Sequence, residues 1–108
     1  RQRAREFFAR RIDEWVTQIA WLKAPPAFQL REMRTQWGSC SPNGMLLLNP
    51  HLIKAPRPCV DYVLAHELCH LKIHSHSPAY YRLLGTLMPD WEERKRELDS
   101  MAELLLNR

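Results

Sequence analysis

The sequence predicts an α+β fold, and three observations carry that prediction. Apolar residues recur every three or four positions near the start of the chain and again after Pro58, the period of helices buried on one side. Between those stretches lies a short apolar run preceded by Asn43-Gly44, a strong hairpin signal. The length, 108 residues, suits one domain with a modest core and leaves no room for two. The domain is expected to span residues 1–108, and the opening Arg1 in place of Met suggests that it is excised from a longer chain.

The elements follow in order. Residues 2–22 form an amphipathic helix with Phe8, Ile12, Trp15, Val16, Ile19 and Leu22 on one face, and Ala24-Pro25-Pro26 stops it. Phe28 to Trp37 reads as a strand, although its alternation is imperfect around Glu32 and Met33. "SCSPNGMLLLNP" supplies a turn and the apolar strand Met45 to Leu48, closed by Asn49-Pro50. These strands would make a small antiparallel sheet. Lys54 to Pro58 is a proline-punctuated connection. From about Pro58 a helix carries the stripe Val60, Val63, Leu64, Leu68 and Leu71, which would bury it against the sheet. Ser77-Pro78 starts the next helix, serine as N-cap and proline at the first helical position. A last helix runs from near Asp90 to about Leu106. The chain shows no internal repeat and no low-complexity tract.

Composition narrows the classes. Hydrophobic residues at 45% with 26% charged residues are ordinary for a folded domain and exclude disorder. No apolar run approaches the ~20 residues of a membrane span, so no membrane partner is expected. Three cysteines, Cys40, Cys59 and Cys69, without any C-x-x-C favour reduced thiols and a cytoplasmic setting. Cys69 reads as buried helix filler. The net charge is +4, and Arg1, Arg3, Arg5, Arg10 and Arg11 cluster at the start. A solvated helix face accounts for them, since no nucleic-acid-binding motif accompanies the charge.

The chemistry concentrates in "AHELCHLKIHSHSP", which packs four of the five histidines into residues 66–76. His66-Glu67-Leu68-Cys69-His70 reads as H-E-x-x-H on the predicted buried helix. Histidines four apart lie about 40° apart around a helix. Their side chains then sit roughly 5–6 Å from each other, so they can share one ion. Zinc holds imidazole nitrogen at about 2.0–2.1 Å, and a catalytic zinc site takes three protein ligands. Glu67 is offset from the pair but well placed to take a proton from a metal-bound water. A helix with metal ligands on one side and a small sheet on the other is the architecture of zinc-dependent peptidases.

Two linked blocks carry a family resemblance. "MRTQWGSCSPNGMLLLNPHLIKAP" followed by "DYVLAHELCHLKIHSHSPAYYRLLGTLMPDWEERKREL" resembles the YgjP-like metallopeptidase family, more distantly similar to the SprT-like proteases. The likeness covers about residues 28–98. It implies a zincin-like fold, one zinc ion and hydrolysis of peptide or protein substrates. Carried over by position, it implies His66, His70 and His76 as metal ligands and Glu67 as general acid/base. The chain departs from the family at Ser75, where asparagine is usual, and at Tyr80-Tyr81, where a Phe-Trp-like pair is usual. The kinship with SprT-like proteins raises an alternative, a nucleic-acid-associated protease. A non-catalytic zinc-binding interaction module is another, against which the intact Glu67 speaks.

Helix geometry also bears on which histidine is the third ligand. His66, His70 and His74 form a stripe, but eight residues of helix span about 12 Å. Three imidazoles strung along that length do not close a tetrahedral site with bonds near 2 Å. The third ligand must return from a break, and Ser77-Pro78 supplies one, because the residue before a proline is pushed out of the helical region. His76 lies in that break, six residues beyond His70, the separation of H-E-x-x-H-x-x-G-x-x-H peptidases. Those turn on a glycine where this chain has Ile73, so its turn is expected later, at Ser75. The rival arrangement takes a downstream glutamate, Glu92, Glu93 or Glu97, but these sit among Arg94, Lys95 and Arg96. Tyr80, Tyr81 and His74 are the candidate donors to the oxyanion, each against the commoner role of packed core aromatic or solvated histidine, and the "QWGSC" strand suits an edge to which an extended peptide adds. Trp37 and Gly38 are expected chiefly to pack and to make a tight bend.

Overall fold

The computed structural model describes residues 2–106. Among the described residues the chain forms four α-helices and a three-stranded sheet: α1 (Gln2–Gln18), β1 (Phe28–Leu30), β2 (Gly38–Cys40), β3 (Leu46–Leu48), α2 (Arg57–His70), α3 (Pro78–Leu87) and α4 (Trp91–Leu106). A 3-10 helix, Pro50–Lys54, fills part of the connection before α2. Asn49 caps it, its side chain accepting from the His51 amide at 3.1 Å. The class is α+β, as the periodicities predict. The described part of the N-terminal arginine cluster, from which Arg1 is excluded, divides in two. Arg3, Arg5 and Arg10 are exposed, whereas Arg11 pairs with Asp61 at 2.8 Å and ties α1 to α2.

The sheet differs from the expected antiparallel one. Strand β3 is central, with β1 parallel on one side and β2 antiparallel on the other. Of residues 28–37, expected as one strand, only Phe28–Leu30 form one, on one edge of β3, while Gly38–Cys40 take the other edge. The chain leaves the sheet after Arg31, whose amide bonds the Leu48 carbonyl at 3.0 Å, and returns at Gly38. The irregular alternation at Glu32 and Met33 marks the excursion. The predicted hairpin forms between β2 and β3, with Gly44 at φ +91°, a left-handed conformation that favours glycine.

Asn49 holds the excursion in place. Its side chain is fully buried, and its amide donates to the Met33 carbonyl at 2.8 Å and the Gln36 carbonyl at 3.0 Å. Replacing it by alanine strands two carbonyls and the His51 amide, each buried polar group left unpaired costing about 1–3 kcal/mol. Asn49→Ala is expected to lower stability by about 2–4 kcal/mol. Urea denaturation measures this, and a change under about 0.5 kcal/mol, the scale of an ordinary surface substitution, would refute it.

Helix α2 is the hub. Ten of its fourteen residues are buried, among them Val60, Val63, Leu64 and Leu68, and it packs on β2, α1, α3 and α4. A helix covered on so many sides holds its polar residues rigidly where they emerge. His66, Glu67 and His70 are those residues. No helix among the described residues is long and apolar enough to cross a membrane.

Candidate metal centre

The helix α2 ends at His70, and the chain turns through Leu71 and Lys72 before a bend at Ser75. The exit thus begins earlier than the expected turn at Ser75. The amide of Ile73 still reaches the Cys69 carbonyl at 2.9 Å, so the last turn is held while the chain swings back. Ser77 then caps α3, accepting from the Tyr80 amide at 3.3 Å. The swing carries His76 back to the α2 histidines.

Three imidazoles meet there. One ring nitrogen from each of His66, His70 and His76 lies within 4.8 Å of the others. The Nε2 atoms of His70 and His76 are 3.1 Å apart, close to the ~3.3 Å that two nitrogens on one tetrahedral zinc would have at bonds of about 2.05 Å. His70 Nδ1 donates to the Ile73 carbonyl at 3.1 Å, which leaves its Nε2 lone pair free for a cation. His66 Nδ1 is buried without a hydrogen-bond partner. Burial, with His70, His76 and Lys95 nearby, lowers the His66 pKa to about 4. Burial also lowers that of His70, against the opposing Ile73 carbonyl. Both are neutral at pH 7, the form a metal requires. Three converging ring nitrogens with one orphaned ring atom fit a resident cation better than a set of core histidines.

Tyr80 braces the group. Its ring stacks on His70 with centroids 4.4 Å apart, and its hydroxyl donates to the His66 carbonyl at 2.8 Å. That hydroxyl is committed, so Tyr80 takes the packing role of the two considered for it. Tyr81 is 38% exposed and stacks on Trp91. Of the three candidate oxyanion donors, His74 alone lines the cavity in front of the histidines, while lying outside the group of three. The cavity measures about 400 Å³, within the range of ligand sites.

Glu67 lines the same cavity and is only 5% exposed. Burial pushes its carboxyl up to about 7. Gly38 explains how β2 comes so close. A Cβ there would meet the Leu47 carbonyl oxygen at 3.1 Å and the Glu67 Cγ and Oε2 at 3.3 and 3.4 Å. Gly38 thus gives close approach within a strand, and the expected bend falls at Trp37 instead. The rival acids do not join the histidines: Glu93 and Glu97 pair with Arg94, and Glu92 is exposed. Lys95, Leu98 and Asp99 of α4, which no motif marked, line an adjoining cavity on whose wall His66 and Glu67 also lie. Cys59 and Cys69 are buried thiols pushed up to about 11 and 12, chiefly by desolvation. Neither is poised as a nucleophile.

A buried H-E-x-x-H helix, a third histidine and an adjoining small sheet define a metallopeptidase-type domain. The chain belongs to the YgjP-like family, matching its metallopeptidase domain over residues 1–101. Two solved structures share the fold. The metallopeptidase zymogen abylysin of Pyrococcus abyssi is 24% identical, with a TM-score of 0.69 over 86% of this chain and 94% of its own. The metallopeptidase zymogen jannalysin of Methanocaldococcus jannaschii is 17% identical, with a TM-score of 0.71 over 85% and 93%. The fold is zincin-like α+β by this likeness. No curated protein matches the chain.

Proposed function

We propose that this chain is a zinc-dependent peptidase in which His66, His70 and His76 hold the metal and Glu67 is the general acid/base. The observation that carries the reading is the meeting of three ligand nitrogens within 4.8 Å beside a buried carboxyl whose pKa is about 7. Three neutral imidazoles are the donor set of catalytic zinc, which supplies Lewis acidity toward a carbonyl and toward water. The protein's own groups do the rest. Glu67 takes the proton of the attacking water and returns it to the leaving amine, a role suited to a carboxyl near neutrality. His74, at the cavity wall, donates to the developing oxyanion.

The substrate reading rests on the outer edge of β2. Among the described residues strand β2 pairs with β3 alone, and the bonds Asn49 N to Trp37 O and Ser41 N to Met45 O, each 2.9 Å, fix the alternation. Residues 37 and 41 face β3, so Gly38 and Cys40 turn their backbone N–H and C=O outward. Both line the cavity that holds the histidines. An extended peptide adding at this edge brings its carbonyl over the ligand group.

Metal removal tests the whole reading. Protein purified from zinc-replete medium is expected to carry about one zinc per chain, as a single three-histidine site requires. Chelation is expected to abolish cleavage of an unfolded polypeptide, and stoichiometric zinc to restore it. Metal-free protein from such a preparation would refute the proposal.

A further inference from the structure

We propose that a second cavity, between α4 and the Gln36–Gly38 segment, is a side-chain subsite that selects a large apolar residue next to the scissile bond. Val63 and Leu98 are its specificity-determining residues. This inference rests on the peptidase reading above. The second cavity adjoins the first, since Gln36, Gly38, His66 and Glu67 line both. A chain lying over the histidines therefore has this cavity beside it. Gly38 stands at the join, and its missing side chain keeps the passage beside Glu67 clear.

Size and chemistry identify the occupant. The volume is about 160 Å³, below the ~300–1,000 Å³ of whole-ligand sites and suited to one aliphatic or phenyl group. Its depth is apolar: Leu98 is 1% exposed, Val63 3% and Tyr62 7%, with half-buried Trp37 as a wall. Besides His66 and Glu67, the charged groups at the cavity are Lys95 and Asp99. These pair with each other at 2.8 Å and are both about half exposed, so they form a neutralised rim facing solvent. A charged side chain entering the cavity would lose water without gaining a free counter-charge. An apolar one would gain by burial alone.

The test maps cleavage and binding separately. Zinc-loaded protein digests reduced, alkylated α-lactalbumin, and mass spectrometry reads the residues flanking each cut. One flanking position is expected to favour Leu, Ile, Met or Phe over Gly and Ser by about 10–100-fold. Leu98→Trp fills the cavity and is expected to remove that preference while zinc content stays unchanged. Because this variant can misfold, the Val63 and Leu98 methyl signals of the unmodified zinc-loaded protein are also followed by NMR. Millimolar N-acetyl-leucinamide is expected to shift them, and N-acetyl-glycinamide to leave them in place. Cuts without apolar bias, absent shifts, or equal shifts with the two amides would overturn the subsite. Absence of cleavage with the leucinamide shifts retained would count against the peptidase reading and leave the subsite standing.

Discussion

Glu67→Gln is expected to retain zinc and to lose hydrolysis by about 10²–10⁴-fold, the contribution of a positioned general acid/base. The carboxamide keeps the shape of the side chain between β2 and the ligand histidines, so the cavity persists while the proton acceptor disappears. The same change is expected to stabilise the metal-free protein at pH 8. A carboxyl whose folded pKa is about 7, above its ordinary 4.5, binds its proton more tightly folded than unfolded. Its contribution to stability is therefore present below pH 4.5 and lost as pH rises through 7. At about 1.36 kcal/mol per pH unit that loss reaches about 3 kcal/mol, which glutamine does not suffer. His66 acts in the opposite sense. Its folded pKa of about 4 lies below the ordinary 6.5, so it weakens the metal-free fold as pH falls from 6.5 toward 4. The unmodified protein combines the two opposed slopes. Glu67→Gln keeps only the histidine slope, and should lose stability on acidification. Urea denaturation of both metal-free proteins at pH 5 and pH 8 measures this. Equal stability at pH 8 would show that Glu67 is not an uncompensated buried carboxyl, and full hydrolysis by Glu67→Gln would remove it from catalysis.

The helices and the hairpin were legible because each is a local matter. The spacing of Phe8, Ile12 and Trp15 needs only helical period to be read, and Asn43-Gly44 needs only turn chemistry. The buried character of α2 was legible for the same reason, from Val60, Val63, Leu64 and Leu68. The sheet topology was not. That the strand begun at Phe28 stops at Leu30, with the chain returning to the far edge of β3 only at Gly38, goes with Asn49, whose amide captures the Met33 and Gln36 carbonyls between them. No period or spacing reports that capture. The gathering of His66 and His70 beside Glu67 was legible because four-residue spacing on a helix is geometry, and that of His76 because Ser77-Pro78 breaks the helix. The α4 contribution was hidden for the converse reason: Lys95, Leu98 and Asp99 look like an ordinary charged helix, and only its packing on α2 turns them toward the adjoining cavity. The sequence likewise offered Tyr80 as a donor, because a hydroxyl's partner cannot be read from its neighbours. That partner is the His66 carbonyl.

His76→Ala is expected to lose most of the bound zinc, and His74→Ala to keep it. Both histidines are exposed and both follow the end of α2, so neither exposure nor helical phase separates them. Position does. The chain turns at Leu71 and Lys72, bends at Ser75, and brings the His76 Nε2 to 3.1 Å from that of His70. His74 remains at the cavity wall, outside the group of three. Losing one of three ligands should weaken zinc by more than about 100-fold, the upper end for losing an outer-shell partner. Because His76 is exposed, its truncation should cost the fold within about 0.5 kcal/mol, so loss of metal would not reflect unfolding. The pair of variants separates ligand from donor. His74→Ala is expected to hold zinc while hydrolysis falls, by up to about 10²–10³-fold if its ring stabilises the oxyanion. Zinc titration with circular dichroism on both variants decides the matter. Zinc kept by His76→Ala and lost by His74→Ala would mean that the bound protein closes its site from the turn before Ser75, and that His76 merely stacks against Tyr81.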